Sequence, residues 1–150
     1  MSVKSKVKRR KVKRLPLSVL VKRAERQGKK SKYQATLHDA RTVWSALNHA
    51  VFGGVLNLPE KFIVQNRLTW DFWGECEGWI RGSRWGQPYT KAIRLQRIYH
   101  NPKTFIDVMA HEMVHQYEWE RQGVMSHGRT FFAWKEKLEE KGIPLDRGRS

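Results

Sequence analysis

A single cysteine, Cys76, stands in 150 residues. One thiol cannot close an internal disulfide, and without cysteine pairs no zinc ribbon can form. This usage suits a reducing compartment. Long apolar runs are also missing, and nothing approaches the roughly 20 residues of a membrane-spanning helix. Leu15–Val21 behind a basic start is the nearest thing to a secretory leader. It is short, contains Pro16, and runs into Lys22-Arg23 with no small-residue cleavage site, so an intracellular protein is expected. Internal repeats are absent. Acid is scarce, with 14 Asp and Glu against 30 Lys and Arg.

The excess of base is unevenly placed. Residues 1–32 hold 14 of the 30 Lys and Arg and one acid, Glu25, which accounts for +13 of the net +16. The remainder is close to balance, and its length suits one domain with a core of its own. Residues 1–34 therefore read as a basic, disordered arm, and 35–150 as the domain. Lys4, Lys6, Lys8, Arg9, Arg10, Lys11, Lys13 and Arg14 suit a polyanion partner, DNA or another nucleic acid, held without sequence preference. Seven tryptophans are many for this length. Trp70, Trp73, Trp79 and Trp85 are candidates for stacking on unpaired bases, although core packing is the ordinary use of such residues.

The local pattern gives an element order. Val19, Leu20, Arg23 and Ala24 suit a short helix ending near Gly28. Thr36 and Asp39 resemble a capping box, and Leu37, Ala40, Trp44, Leu47 and Val51 recur at helical spacing up to Gly53-Gly54. Strands are expected at Lys61–Gln65, around Glu77–Arg81 and at Ala92–Ile98, with a loop over Gly82–Gln87. Asn101-Pro102 suits the start of a helix that ends near Gln122-Gly123. A last helix is expected over Thr130–Lys141, with Phe131, Trp134 and Leu138 inward. Cys76 reads as a small buried residue, and His38, His49 and His100 as structural or exposed.

The chemistry sits at His111-Glu112-Met113-Val114-His115. Histidines four apart project from one face of a helix, one turn from each other, and neutral imidazole binds Zn²⁺. Glu112 can act as general base toward the metal's water. A catalytic zinc usually has a third protein ligand. His127 is one candidate and Glu136 a second. Glu118 is a third, on the same helix and poorly angled. The HExxHxxGxxH pattern fails, because Glu118 stands where glycine is required and Arg121 where histidine is. For the oxyanion, Arg129 and Tyr117 are the available guesses.

His111–His115 followed by Ser126-His127-Gly128-Arg129-Thr130-Phe131 resembles the SprT/Spartan family of metalloproteases, in which HExxH is followed by a third histidine in an HGxxF context. Trp44–Val55, Asn57-Leu58-Pro59, Trp73-Gly74, Cys76-Glu77-Gly78 and Ile93-Arg94-Leu95 are similar to family segments upstream, so the likeness covers roughly residues 36–141. It implies an α+β, zincin-like fold, with a small three-stranded sheet packed against helices and HExxH on the active-site helix. It also implies His111, His115 and His127 as zinc ligands, Glu112 as the catalytic base, and peptide-bond hydrolysis in proteins attached to DNA. Many members carry a C-terminal zinc- or DNA-binding extension, and no cysteine pairs follow His127 here. The basic arm is then the expected grip on DNA, with a cytoplasmic or nucleoid-associated location. A nucleic-acid-binding protein with a structural or weakly active core is the alternative, and a hydrolase of a non-protein amide a further one.

Overall fold

The computed structural model describes residues 15–28, 32–66, 73–82 and 86–146. In chain order the elements are α1 (Leu17–Gln27), β1 (Tyr33–Gln34), α2 (Leu37–Ala50), β2 (Lys61–Gln65), β3 (Gly74–Ile80), β4 (Pro88–Gln96), β5 (Ile98–Tyr99), α3 (Pro102–Gln122), α4 (Arg129–Phe132) and α5 (Lys135–Glu140). The architecture is α+β, with small sheets packed against helices. The main sheet has the order β2-β4-β3, with β2 parallel and β3 antiparallel to β4. β1 and β5 make a separate two-stranded pair. Among the described residues no helix is long and apolar enough to cross a membrane.

Both long helices begin where their caps require. Thr36 accepts from Asp39 N while the Asp39 carboxylate accepts from Thr36 N, closing a reciprocal capping box. Asn101 accepts from Thr104 N, Pro102 follows it, and α3 ends at Gly123 in the left-handed conformation. α3 is the axis of the fold. Every residue from Phe105 to Gln116 is buried, and so is Glu118. A helix covered on all sides shows little amphipathic contrast. α2 presents Val43, Trp44 and Leu47 to this core, and the sheet adds Phe62, Ile93 and Leu95. Trp44 Nε1 donates to Gln116 Oε1 (2.9 Å), and Gln116 Nε2 donates to Asn57 O (2.7 Å), so a buried amide joins α2, α3 and the turn after α2.

Two glycines let β3 lie close to α3. A Cβ on Gly74 would sit 2.9 Å from Val108 Cγ1 and 3.1 Å from Glu112 Cγ. One on Gly78 would sit 2.5 Å from Trp119 Nε1. That indole nitrogen faces the carbonyls of Trp79 (3.1 Å) and Tyr89 (3.0 Å), one on each strand.

Four expectations need correction. α1 belongs with the body of the fold rather than with an arm: Leu17, Val21 and Ala24 are buried in the common core. Their spacing gives a basic helix one apolar stripe, which overall charge conceals. β3 begins at Gly74, three residues before the expected start. The third strand runs Pro88–Gln96 and is interrupted at Arg97, whose N–H reaches Gln65 O (2.8 Å) and whose carbonyl receives Ala35 N (2.7 Å). The last helix is two pieces, α4 and α5. Trp134 N bonds Phe131 O, a tightened turn that places the Trp134 ring 4.7 Å from Phe52 and 4.8 Å from Tyr117.

Candidate metal centre

Burial of α3 on all sides poses a problem for its polar side chains, each of which needs a partner. Asp107 accepts from Lys103 Nζ at 2.7 Å. Gln116 is bonded as described. His111 and His115 both face His127, which arrives from the turn between α3 and α4. His127 Nε2 lies 3.2 Å from His111 Nε2 and 3.2 Å from His115 Nε2. One ring nitrogen carries at most one proton, so it cannot donate to both neighbours. Three imidazole nitrogens brought together in this way can hold a metal ion. Phe131 lies beneath them, its ring centroid 4.8 Å from His111, 4.8 Å from His115 and 5.0 Å from His127.

Glu112 is different. It is 0% exposed, and neither carboxylate oxygen has a hydrogen-bond partner among the described residues. Burial, reinforced by the nearby charge of Glu75, holds its carboxyl well above the usual carboxylate range. Burial also lowers the His115 imidazole, with a further push from His127 and an opposing pull from Glu118. The neutral ring is the form that ligates a metal.

The two α3 side chains Glu112 and His115 share a cavity of about 190 Å³ with His127, Ser126, Met125 and the first residues of β3, Gly74, Glu75 and Cys76. Among the described residues β3 pairs only with β4. The start of this strand, Gly74 to Cys76, borders the cavity.

The remaining candidates separate cleanly. Glu136 is exposed on α5 and stands outside the histidine cluster. Glu118 is fully buried, and its Oε1 accepts from His115 Nδ1 (3.1 Å) and Ser126 N (3.2 Å). Its Oε2 accepts from Ser126 Oγ (3.1 Å) and from Thr130 Oγ1. Glu118 thus stands behind a candidate ligand rather than beside it. Its signal in the sequence was an acid three residues after a histidine, with hydroxyl residues on both sides of His127. Tyr117 belongs to the Phe52–Trp134 aromatic cluster, and Arg129 is exposed at the start of α4; neither lines the cavity. Cys76 is half-buried at the cavity wall. Trp73 stacks on Tyr99 (5.5 Å), while Trp79 is 49% exposed with Lys91 over its ring. Lys4, Lys6, Lys8, Arg9, Arg10, Lys11, Lys13, Arg14, Trp70 and Trp85 lie outside the described residues.

The SprT-like family model matches residues 40–148 of the chain, a span holding all three histidines and Glu112. No curated protein and no solved structure matches it.

Proposed function

Because the chain belongs to the SprT-like family, we propose that it is a zinc-dependent metallopeptidase of zincin-like fold, with His111, His115 and His127 as ligands and Glu112 as general base. The observation that carries this reading is a cluster of three histidines, two of which, His115 and His127, share one cavity with a buried carboxylate that has no hydrogen-bond partner among the described residues. Ligands at 2.0–2.1 Å in a tetrahedron stand about 3.3 Å apart; His127 Nε2 stands 3.2 Å from the Nε2 of each of the other two, and all three ligand atoms lie within 4.8 Å of one another. Three nitrogen donors leave a tetrahedral ion one open position, the pattern of catalytic rather than structural sites. Zinc held there supplies Lewis acidity, polarising a carbonyl and acidifying a water.

A peptide adds to the edge of β3 away from β4 as an extra strand, which fixes the scissile bond over the cavity by main-chain hydrogen bonds. Glu112 accepts a proton from the attacking water at its carboxylate and passes it to the departing amine. A base is most effective when its pKa lies near the working pH, and burial moves Glu112 in that direction. His115 keeps its Nε2 lone pair toward the cavity because its other nitrogen donates to Glu118. A substrate laid along β3 must be extended, so a folded protein is cut in its loops or tails.

We infer further that the substrates are proteins on DNA. The support is the charge of residues 1–14, which contain eight Lys and Arg and no acid. Such a segment binds polyanions in a salt-dependent, sequence-blind way.

The test is hydrolysis of an unfolded protein by the wild-type chain, with and without chelator, beside Glu112→Gln. The expected result is chelator-sensitive cleavage by wild type, and a variant that binds zinc but does not cleave. Undiminished cleavage by the variant would overturn the mechanism. Metal and polyanion binding without turnover would favour a binding protein instead.

A further inference from the structure

The two parts of the histidine cluster come from different places. His111 and His115 are fixed by a helix buried on all sides, whereas His127 sits in the turn that follows it. Val124 and Met125, the first residues of that turn, are 43% and 37% exposed, so apolar burial does not hold it down. A single side chain reaches both parts. Glu118 receives the Nδ1 proton of His115 and, through Ser126 and Thr130, grips the chain on either side of His127. Ser126 Oγ, one of the groups it holds, in turn accepts from Gly128 N (3.2 Å).

We propose that Glu118 is a positioning residue that assembles the metal site before metal arrives, by fixing the tautomer of His115 and pinning the 124–130 segment so that His127 Nε2 faces the other two nitrogens. This rests on the reading of the three histidines as metal ligands. The physical case has two halves. A carboxylate accepts and does not donate, so a histidine nitrogen bonded to it carries the proton, and the opposite nitrogen is left as a lone pair. A carboxylate facing four donors at 0% exposure is over-determined in position, so the groups bonded to it inherit that rigidity. Glu118 lies on α3 seven residues after His111 and three after His115, and so carries the register of the helix to the third ligand.

The proposal predicts a defect in metal binding that is shared with the mobility of the turn. Zinc affinity is measured by chelator competition on the full chain, ligand geometry by the visible absorption of the cobalt-substituted protein, and the turn by hydrogen exchange of residues 124–130 without metal. Glu118→Ala is expected to weaken zinc by about 10- to 100-fold, to change the cobalt spectrum and to speed exchange in the turn. Glu118→Gln, which keeps an acceptor of the same shape, is expected to recover part of all three. Wild-type affinity and spectrum in Glu118→Ala would overturn the proposal. Should that variant fail to fold, Ser126→Ala with Thr130→Val removes both hydroxyl contacts to the turn, keeps the Ser126 N–H contact and leaves Glu118 in place; weakened zinc supports the proposal and unchanged zinc overturns it. A wild-type chain that takes up no zinc sinks the metallopeptidase reading itself, which is a separate result from a wild type that binds and variants that bind equally well.

Discussion

Replacing Glu112 by Gln removes the proposed proton acceptor and, in the same step, a buried carboxylate without a hydrogen-bond partner among the described residues. The two effects appear in different measurements. Activity is expected to fall by at least about 10²-fold, the scale of general-base catalysis, with zinc retained. Stability of the metal-free protein at neutral pH is expected to rise, because a buried amide avoids the cost of ionising a buried carboxyl beside Glu75, read from urea denaturation. Loss of stability would mean that Glu112 has a structural partner. The ligand set is tested by metal content: His127→Ala should lose zinc and Glu136→Ala should keep it, and the reverse result would exchange the two. At this scale the sequence was most informative where spacing alone fixes geometry, as at His111 and His115 on one helical face. It was least informative for Glu118, whose partners Ser126 and Thr130 are neighbours only after the chain turns back.

Elements whose ends are set by a side chain were readable. Thr36 with Asp39 and Asn101 with Pro102 begin their helices as the sequence suggests, and Gly123 ends α3. Asn101→Ala should cost about 1 kcal/mol in denaturant titration. β3 was harder, because Gly74 and Gly78 break the alternation expected of a strand; they are there for the helix rather than for the sheet. Gly78→Ala places a methyl group against the Trp119 ring and should destabilise by about 1–3 kcal/mol, the scale of overpacking. A neutral result would mean that strand and helix separate more freely than their contacts indicate. The split between α4 and α5 was hidden because Phe131, Trp134 and Leu138 keep helical spacing across it. β1 and β5 are two residues each, too short for any period to register.

For the whole molecule, acid sensitivity is the sum of opposing contributions. His115 titrates below its ordinary value of 6.5 in the fold, so the unfolded chain binds more protons just below that pH, and stability is lost as pH falls from there. Glu112 titrates above its ordinary 4.5; the native state then holds the extra proton, and stability is lost as pH rises from 4.5 toward the native value. In the metal-free protein the two partly cancel between neutrality and 4.5. Glu112→Gln removes the second and should make acid unfolding steeper, as seen in thermal denaturation at a series of pH values; an unchanged profile would show that Glu112 does not contribute. Charge acts at the same scale. Deleting residues 1–14 should abolish salt-dependent binding to single- or double-stranded DNA while leaving cleavage of a free unfolded protein intact. Retained binding would move the contact to the body of the fold, where exposed Trp79 beside Lys91 is available.

The strand order β2-β4-β3 has a consequence for how the chain is made. The central strand is the last of the three to leave the ribosome, so β2 and β3 emerge with no neighbour in common. β3 and β4 can close locally as a hairpin, but the parallel pairing of Lys61 with Ala92 and of Gln65 with Gln96 must wait for the hairpin to dock on β2, and such non-local pairing is slow. α3 is synthesised directly after β5 and packs on β3 and β4, so the hairpin is the part of the sheet that it covers. The nascent chain therefore carries unpaired strand edges from the completion of β2 until β4 has been made, and every histidine of the cluster appears in its last third. A chain released early is at risk of aggregation, but it holds no complete histidine cluster.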